Sequence, residues 1–313
     1  MIQSVDRAVR ILFALQGARR LTLSELAAEL GLPPTTVHGI VRTLAVHGVV
    51  VQEHGGGRYQ LGPAVLRLGN VYLDTLELRS RALTWAHELA RRTGLAVRVG
   101  VLFGDDVVII HHEPRPDGSR QMPEVGIEIP AHASALGKAM LAFVPGQKHA
   151  GNSGGNEAGN SGGSDARNSG GSDARNSGGS DARNSGGSDA RNSGGSDARN
   201  SGGSDARNSG GSGEGLRSMT GETITSREAL AEHLTAVGES GLATERDEAV
   251  LGESCIAGAI FDRTGAVVGA VGVVLPTADW PAPDATVDAV RTAARTISRE
   301  LGSPRWPVPP DRP

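Results

Sequence analysis

A single cysteine, Cys255, stands in 313 residues, which excludes an internal disulfide framework and suits a reducing cytosol. No apolar run reaches membrane-spanning length, and the N-terminus lacks a signal-peptide pattern. The expectation is a soluble, cytoplasmic protein with no membrane partner. Charge of one sign is also missing, since the formal net charge is only −4. Residues 1–62 set Arg7, Arg10, Arg19, Arg20, Arg42 and Arg58 against Asp6, Glu25, Glu29 and Glu53. A nucleic-acid binder built on them needs its charge placed locally and doubled by dimerisation. No P-loop, GxSxG, HExxH or CxxC spacing occurs, so no catalytic residue, metal or cofactor is expected.

Aromatic residues are scarce, at 3%, and glycine is in excess, at 45 residues. Most of that skew comes from residues 151–215. There the octet Asn-Ser-Gly-Gly-Ser-Asp-Ala-Arg runs through six copies, from Asn160 to Arg207. Each copy is neutral and lacks a large apolar residue, so nothing can offset the entropy of ordering it. The reading is a disordered low-complexity insertion. With it set aside, roughly 250 residues remain, enough for a small domain and one with a sizeable core.

The stretch TLSELAAELGLPPTTVHGIVRTL, residues 22–44, organises the rest. Thr22 and Glu25 have capping-box spacing, and Leu23, Leu26, Ala27 and Leu30 recur at helical period up to Gly31. Pro33 and Pro34 suit the first turn of a second helix, whose apolar face is Val37, Ile40, Val41 and Leu44. The opposite face carries Thr35, Thr36, His38, Gly39, Arg42 and Thr43. This fits a helix-turn-helix or an ordinary helical hairpin with a polar outside. The next element decides between them: Gly48–Gln52 and Arg58–Leu61 flank a glycine-rich tip and read as a β-hairpin, hence a wing. Arg58, at the base of the tip, is placed to reach a phosphate or the minor groove. Before this unit, Ser4 is expected to cap a first helix with Val5, Ala8, Leu12 and Leu15 inward and Gly17 at its end.

Residues 63–93 read as helix, broken near Leu73–Thr75, with more apolar surface than one face needs. The expected division is 1–62 winged helix-turn-helix, 63–80 linker helix, 81–303 effector domain interrupted by 151–215, and 304–313 a Pro-rich tail. From Leu95 the period becomes two. Leu95–Phe103 and Val107–His112 form one hairpin, and Ser254–Phe261 and Ala266–Leu275 another. Helices are expected at Ala133–Ala142, from Ser226 to Gly238–Gly241, and at Asp284–Leu301. The fold class is therefore α+β, with an antiparallel sheet in the second domain and the repeat inserted within it.

A rival reading is a metal- or cysteine-dependent small-molecule enzyme using His111, His112, His132, Glu245 and Cys255. Adjacent histidines on a strand face opposite sides, so His111 and His112 cannot both enter one site. A lone cysteine on an apolar strand is usually a small core residue.

With SVDRAVRIL (4–12), LTLSELAAELGLPPTTVHGIVRTL (21–44), GRYQLG (57–62), HASALGKAML (132–141) and SCIAGAIFD (254–262) in this order and spacing, the chain resembles the IclR family of bacterial transcriptional regulators. The resemblance implies a ligand-responsive regulator, expected to be a repressor, acting as a homodimer or homotetramer on palindromic double-stranded operator DNA. It implies a C-terminal domain, distantly like GAF-type sensors, that binds a small-molecule metabolite. On this basis Thr35, Thr36, His38 and Arg42 of a recognition helix Pro34–Leu44 face the groove. Gly39 stands where the family often has a basic residue. Ala135, Leu136 and Gly137 match an oxyanion-facing backbone, Cys255 and Ala257 match pocket walls, and Glu245 matches an acid. Gly272 and Val274 stand where a relative with a carboxylate effector has serines. Each lost hydroxyl removes a donor, an effect of roughly 1–3 kcal/mol per unpaired group, which argues against glyoxylate or pyruvate. A narrower similarity of QLGPAVLRLGNVYLD, ELRSRAL and HHEPRPDGSRQ to actinobacterial regulators of glycerol catabolism suggests a glycerol-type metabolite such as glycerol 3-phosphate.

Overall fold

The structure is a computed structural model that describes residues 1–119, 121–144 and 215–307. The octet repeat and the end of the Pro-rich tail lie outside the described residues. The first unit contains α1 (Gln3–Ala18), β1 (Leu21–Thr22), α2 (Leu23–Leu30), α3 (Pro34–Val46), β2 (Val50–Gln52) and β3 (Arg58–Leu61). The capping box forms as the sequence dictates: Glu25 N–H donates to Thr22 Oγ1 at 3.2 Å, and Thr22 N–H donates to Glu25 Oε2 at 2.7 Å. Gly31 then takes φ 64°, left-handed backbone that ends α2 and turns the chain into α3. Ile11, Leu15, Leu26, Leu30, Val37, Val41 and Val50 make the core. Each contributes on the order of 1.5–3 kcal/mol by leaving water. β1 pairs with β3, and β3 with β2, so the wing is the edge of a three-stranded sheet.

The first helix departs from its sequence reading. It starts at Gln3, with Ile2 rather than Ser4 at the cap, and runs past Gly17 to Ala18. Val5 is 57% exposed, while Ile11, Ala14 and Leu15 face the core. The helix carries two apolar stripes, and the one chosen from periodicity began on the outer one. Ile2, Val5, Val9 and Phe13 all remain exposed.

The helical segment that follows divides at Leu76 into α4 (Pro63–Thr75) and α5 (Glu77–Thr93). Leu66, Leu68, Val71 and Tyr72 of α4 are exposed, whereas Leu78, Ala82, Ala86, Leu89 and Ala90 of α5 are buried.

Beyond α5 come β4 (Ala96–Phe103), β5 (Asp106–Glu113), β6 (Glu128–Pro130), α6 (Ala135–Leu141), α7 (Arg227–Ser240), β7 (Leu242–Arg246), β8 (Glu253–Phe261), β9 (Val267–Pro276) and α8 (Asp284–Glu300). The strands form one antiparallel sheet in the order β6-β5-β4-β9-β8-β7. Strand alternation assigns its two faces. Val97, Val99, Ile256, Ile260, Val271 and Val273 pack with α5 and α8. Cys255, Ala257, Ala259, Phe261, Ala270 and Val274 pack with α6 and α7. β7 was not legible as a strand in the sequence. Its inward positions are Ala243 and Glu245, so a charge interrupts the apolar alternation. An inward charge on an edge strand also discourages pairing with other chains.

Candidate functional site

The first site is the outer face of α3. Val37 and Val41 are consumed by packing, at 0% and 1% exposure. Turning the helix by half a revolution exposes Thr35, His38, Gly39, Arg42 and Thr43, with Thr36 half-buried at the edge. The five expected α3 residues therefore share one surface. Arg58 is placed differently from the expectation. Its Nη1 donates to Glu25 Oε2 at 3.3 Å and to the Arg20 carbonyl at 3.5 Å, while Arg20 pairs with Glu53 at 2.8 Å. The reason lies in the capping box: Thr22 fixes the Glu25 carboxylate and holds it below its usual range, making a permanent acceptor beside the wing.

The second site is the α6-facing side of the sheet. Register brings the expected effector residues into two adjacent cross-strand rows. Glu245, Cys255 and Val274 form one, and Ala257, Gly272, Arg98 and His112 the other. The start of α6, Ala135-Leu136-Gly137, is buried in the same layer. Two observations modify the roles expected there. The Gly137 N–H already donates to Ser134 Oγ at 3.0 Å. A Cβ on Gly137 would lie 2.1 Å from the Ala131 carbonyl oxygen, so glycine is required by the close approach of the two backbones.

Charge is concentrated in this layer to a degree the sequence reading missed. Lys138 is 0% exposed, and its Nζ meets Glu248 Oε1 at 2.5 Å and the Thr244 carbonyl at 3.4 Å. Burial lowers the Lys138 ammonium's pKa, and Glu248 opposes that shift. Glu245 Oε2 accepts the Glu248 and Ala249 N–H groups at 3.2 and 3.4 Å, yet burial pushes its carboxyl up to about 7. His233 is held down to about 4, first by burial and then by Lys138. Arg98 is bound through both nitrogens to Glu124 and through Nη2 to Glu253 at 3.1 Å. One signal for Arg98 was available: Val97 and Val99 face one layer of helices, so Arg98 must face the other. Lys138 gave none, because its position resembles the polar side of a short helix.

The enzyme reading fails on the same geometry. Burial pushes the Cys255 thiol far up, away from a reactive thiolate. His132 Nε2 is satisfied by the Arg217 carbonyl at 2.8 Å, and His111 lies beside Glu113. Among the described residues no group of three or more ligand side chains could hold a metal. No helix there is long and apolar enough to cross a membrane. Concavities open at Gln52–Gly57 on the wing and between Trp85 of α5 and Ala293 of α8, away from α6. Beneath α6 the protein's own side chains fill the space.

Comparison with known proteins follows the same two-part division. The IclR helix-turn-helix domain model matches residues 4–54, and the bacterial transcriptional regulator IclR C-terminal model matches 70–151 and 211–299. The chain belongs to the IclR family. It is 36% identical over 312 residues to the glycerol operon regulatory protein of Streptomyces griseus, covering 97% of this chain and 98% of that one. An IclR transcriptional regulator from Alicyclobacillus acidocaldarius superimposes with a TM-score of 0.66 at 22% identity, over 96% of this chain and 100% of the other. An IclR homologue from Microbacterium hydrocarbonoxydans, complexed with 4-hydroxybenzoate, gives 0.62 at 20% identity over 95% and 98%. These two share the fold. This IclR-family protein is a ligand-responsive, DNA-binding transcriptional regulator and not an enzyme. The α+β architecture expected from its sequence is the one found.

Proposed function

We propose that this regulator is a cytoplasmic repressor of glycerol or related catabolic genes, acting as a homodimer or a pair of dimers. The printed name of its Streptomyces griseus relative supports the pathway. In this reading, Thr35, Thr36, His38, Gly39 and Arg42 enter the major groove. Arg58 follows the backbone with the guanidinium N–H groups that Glu25 leaves free. The observation that carries it is the division of α3: Val37 and Val41 are fully committed to the core, and the opposite face is polar and exposed. Val5, Val9 and Phe13 of α1 and Leu66, Leu68, Val71 and Tyr72 of α4 are apolar and uncovered in one chain, which supports pairing with a second copy.

The effector, a small polar metabolite of glycerol type, is assigned to the layer of Ala135–Gly137, Glu245, Cys255, Ala257, Gly272 and Val274. Occupation there shifts the relative placement of two DNA-reading heads and so changes operator affinity. Arg42→Ala tests the two-site arrangement. Operator affinity, followed by fluorescence anisotropy, falls at least tenfold while calorimetric binding of glycerol 3-phosphate is unchanged. Equal loss of both contradicts it.

A further inference from the structure

Gly39 occupies the middle of the exposed face of α3 without a structural reason for being glycine. Its backbone is helical, and a Cβ built on it meets nothing within 4 Å. Gly62 and Gly137 differ, because a Cβ there would come within 2.2 and 2.1 Å of a backbone oxygen. Glycine inside a helix is destabilising relative to alanine, and at residue 39 neither packing nor turn geometry compensates. Thr35 and Thr36 lie one turn before it, and Arg42 and Thr43 one turn after, so helical spacing makes Gly39 the floor of a notch. Thr43 Oγ1 donates to the Gly39 carbonyl at 3.1 Å, which turns that hydroxyl onto the helix. The Gly39 N–H is committed to the helix ladder. The notch therefore offers room and threonine methyl groups, and its floor has no free donor.

We propose that the Gly39 notch receives the C5-methyl group of a thymine, so that α3 selects a T·A pair at that step. The inference rests on the reading of α3 as the DNA-contacting helix. Among the groups that base pairs present in the major groove, the thymine methyl is the one that is apolar and protrudes. A purine acceptor would need a donor that glycine lacks, and a basic side chain at residue 39 would fill the space the methyl takes.

The experiment uses the full chain and a duplex enriched by it from a randomised double-stranded library. The same duplex is also made with deoxyuridine replacing the half-site thymidines, which deletes only methyl groups. Wild-type protein binds the deoxyuridine duplex about fourfold more weakly, the effect of one lost apolar carbon contact. Gly39→Ala binds the thymidine duplex about tenfold more weakly, no longer distinguishes the two duplexes, and melts at or above the wild-type temperature. Arg42→Ala weakens binding to both duplexes and keeps their ratio. Enrichment of half-sites without a fixed T·A pair overturns the proposal, as does a wild-type protein indifferent to deoxyuridine. A Gly39→Ala variant that melts lower shows that the glycine serves the fold, and also overturns it. If Gly39→Ala retains the wild-type affinity and ratio while Arg42→Ala loses affinity, the notch alone is wrong. If both variants bind at full strength, α3 is not the DNA-contacting helix.

Discussion

The two halves of the molecule place their charges in opposite ways. The winged helix holds an aliphatic core and keeps Arg20, Glu25, Glu53 and Arg58 paired in water at its surface. The effector domain draws Lys138, Glu245 and Glu248 into the layer between sheet and α6, where all three are buried. A surface that meets a polyanion needs outward groups on a stiff frame, and exposed ion pairs there contribute little to stability. A buried ionic cluster does the reverse: removal of one member leaves the others without compensation. The difference suggests that the first half is stabilised by packing and the second is sensitive to protonation.

The largest effect expected is from Lys138→Met, which leaves the buried Glu248 unpaired and costs about 4 kcal/mol in urea denaturation. Adding Glu248→Gln recovers much of it. A loss under 1 kcal/mol for the single variant would place the cluster with the surface pairs.

Leu26→Ala is next, at about 3 kcal/mol, from a cavity in the winged-helix core. Trp85, Trp280 and Trp306 all lie outside that unit, so circular dichroism registers the loss and tryptophan fluorescence does not. Coincident shifts of both probes would show that the two halves unfold as one.

Protonation sharpens the contrast further. Glu245, raised from 4.5 to about 7, takes up a proton on folding. Its contribution is complete below pH 4.5 and is lost as pH rises through about 7. His233, lowered from 6.5 to about 4, has the opposite slope, with stability present above 6.5 and lost as pH falls through 4. Glu245→Gln removes the first slope alone, a change of up to about 3 kcal/mol across pH 4.5–7. Parallel stability–pH curves for variant and wild type would contradict the shift. The smallest effect is Thr22→Ala, about 1 kcal/mol from the lost capping box, confined to the circular dichroism signal.

Local chemistry explains what was legible. Thr22, Glu25, Gly31 and Pro34 each have a backbone preference that acts within one helical turn, and all four hold their expected places. Both long hairpins were readable because their alternation is apolar on two faces. What was missed depends on neighbours distant in the chain. β7 is hidden by its inward Glu245, and Lys138 is buried only because Glu248, 110 residues away, meets it. Arg58 points at Glu25 because β1 brings the start of α2 against the wing, a contact between residues 33 apart.

The sequence alone determined the order of elements, the two-part architecture and the polar face of α3, since these follow from periodicity, caps and turn residues. Tertiary structure decided which stripe of α1 turns inward, which side of the sheet carries Arg98, and which carboxylates hold Lys138. Those outcomes depend on competition among burial, pairing and close approach, and such competition is settled only when distant segments occupy the same space.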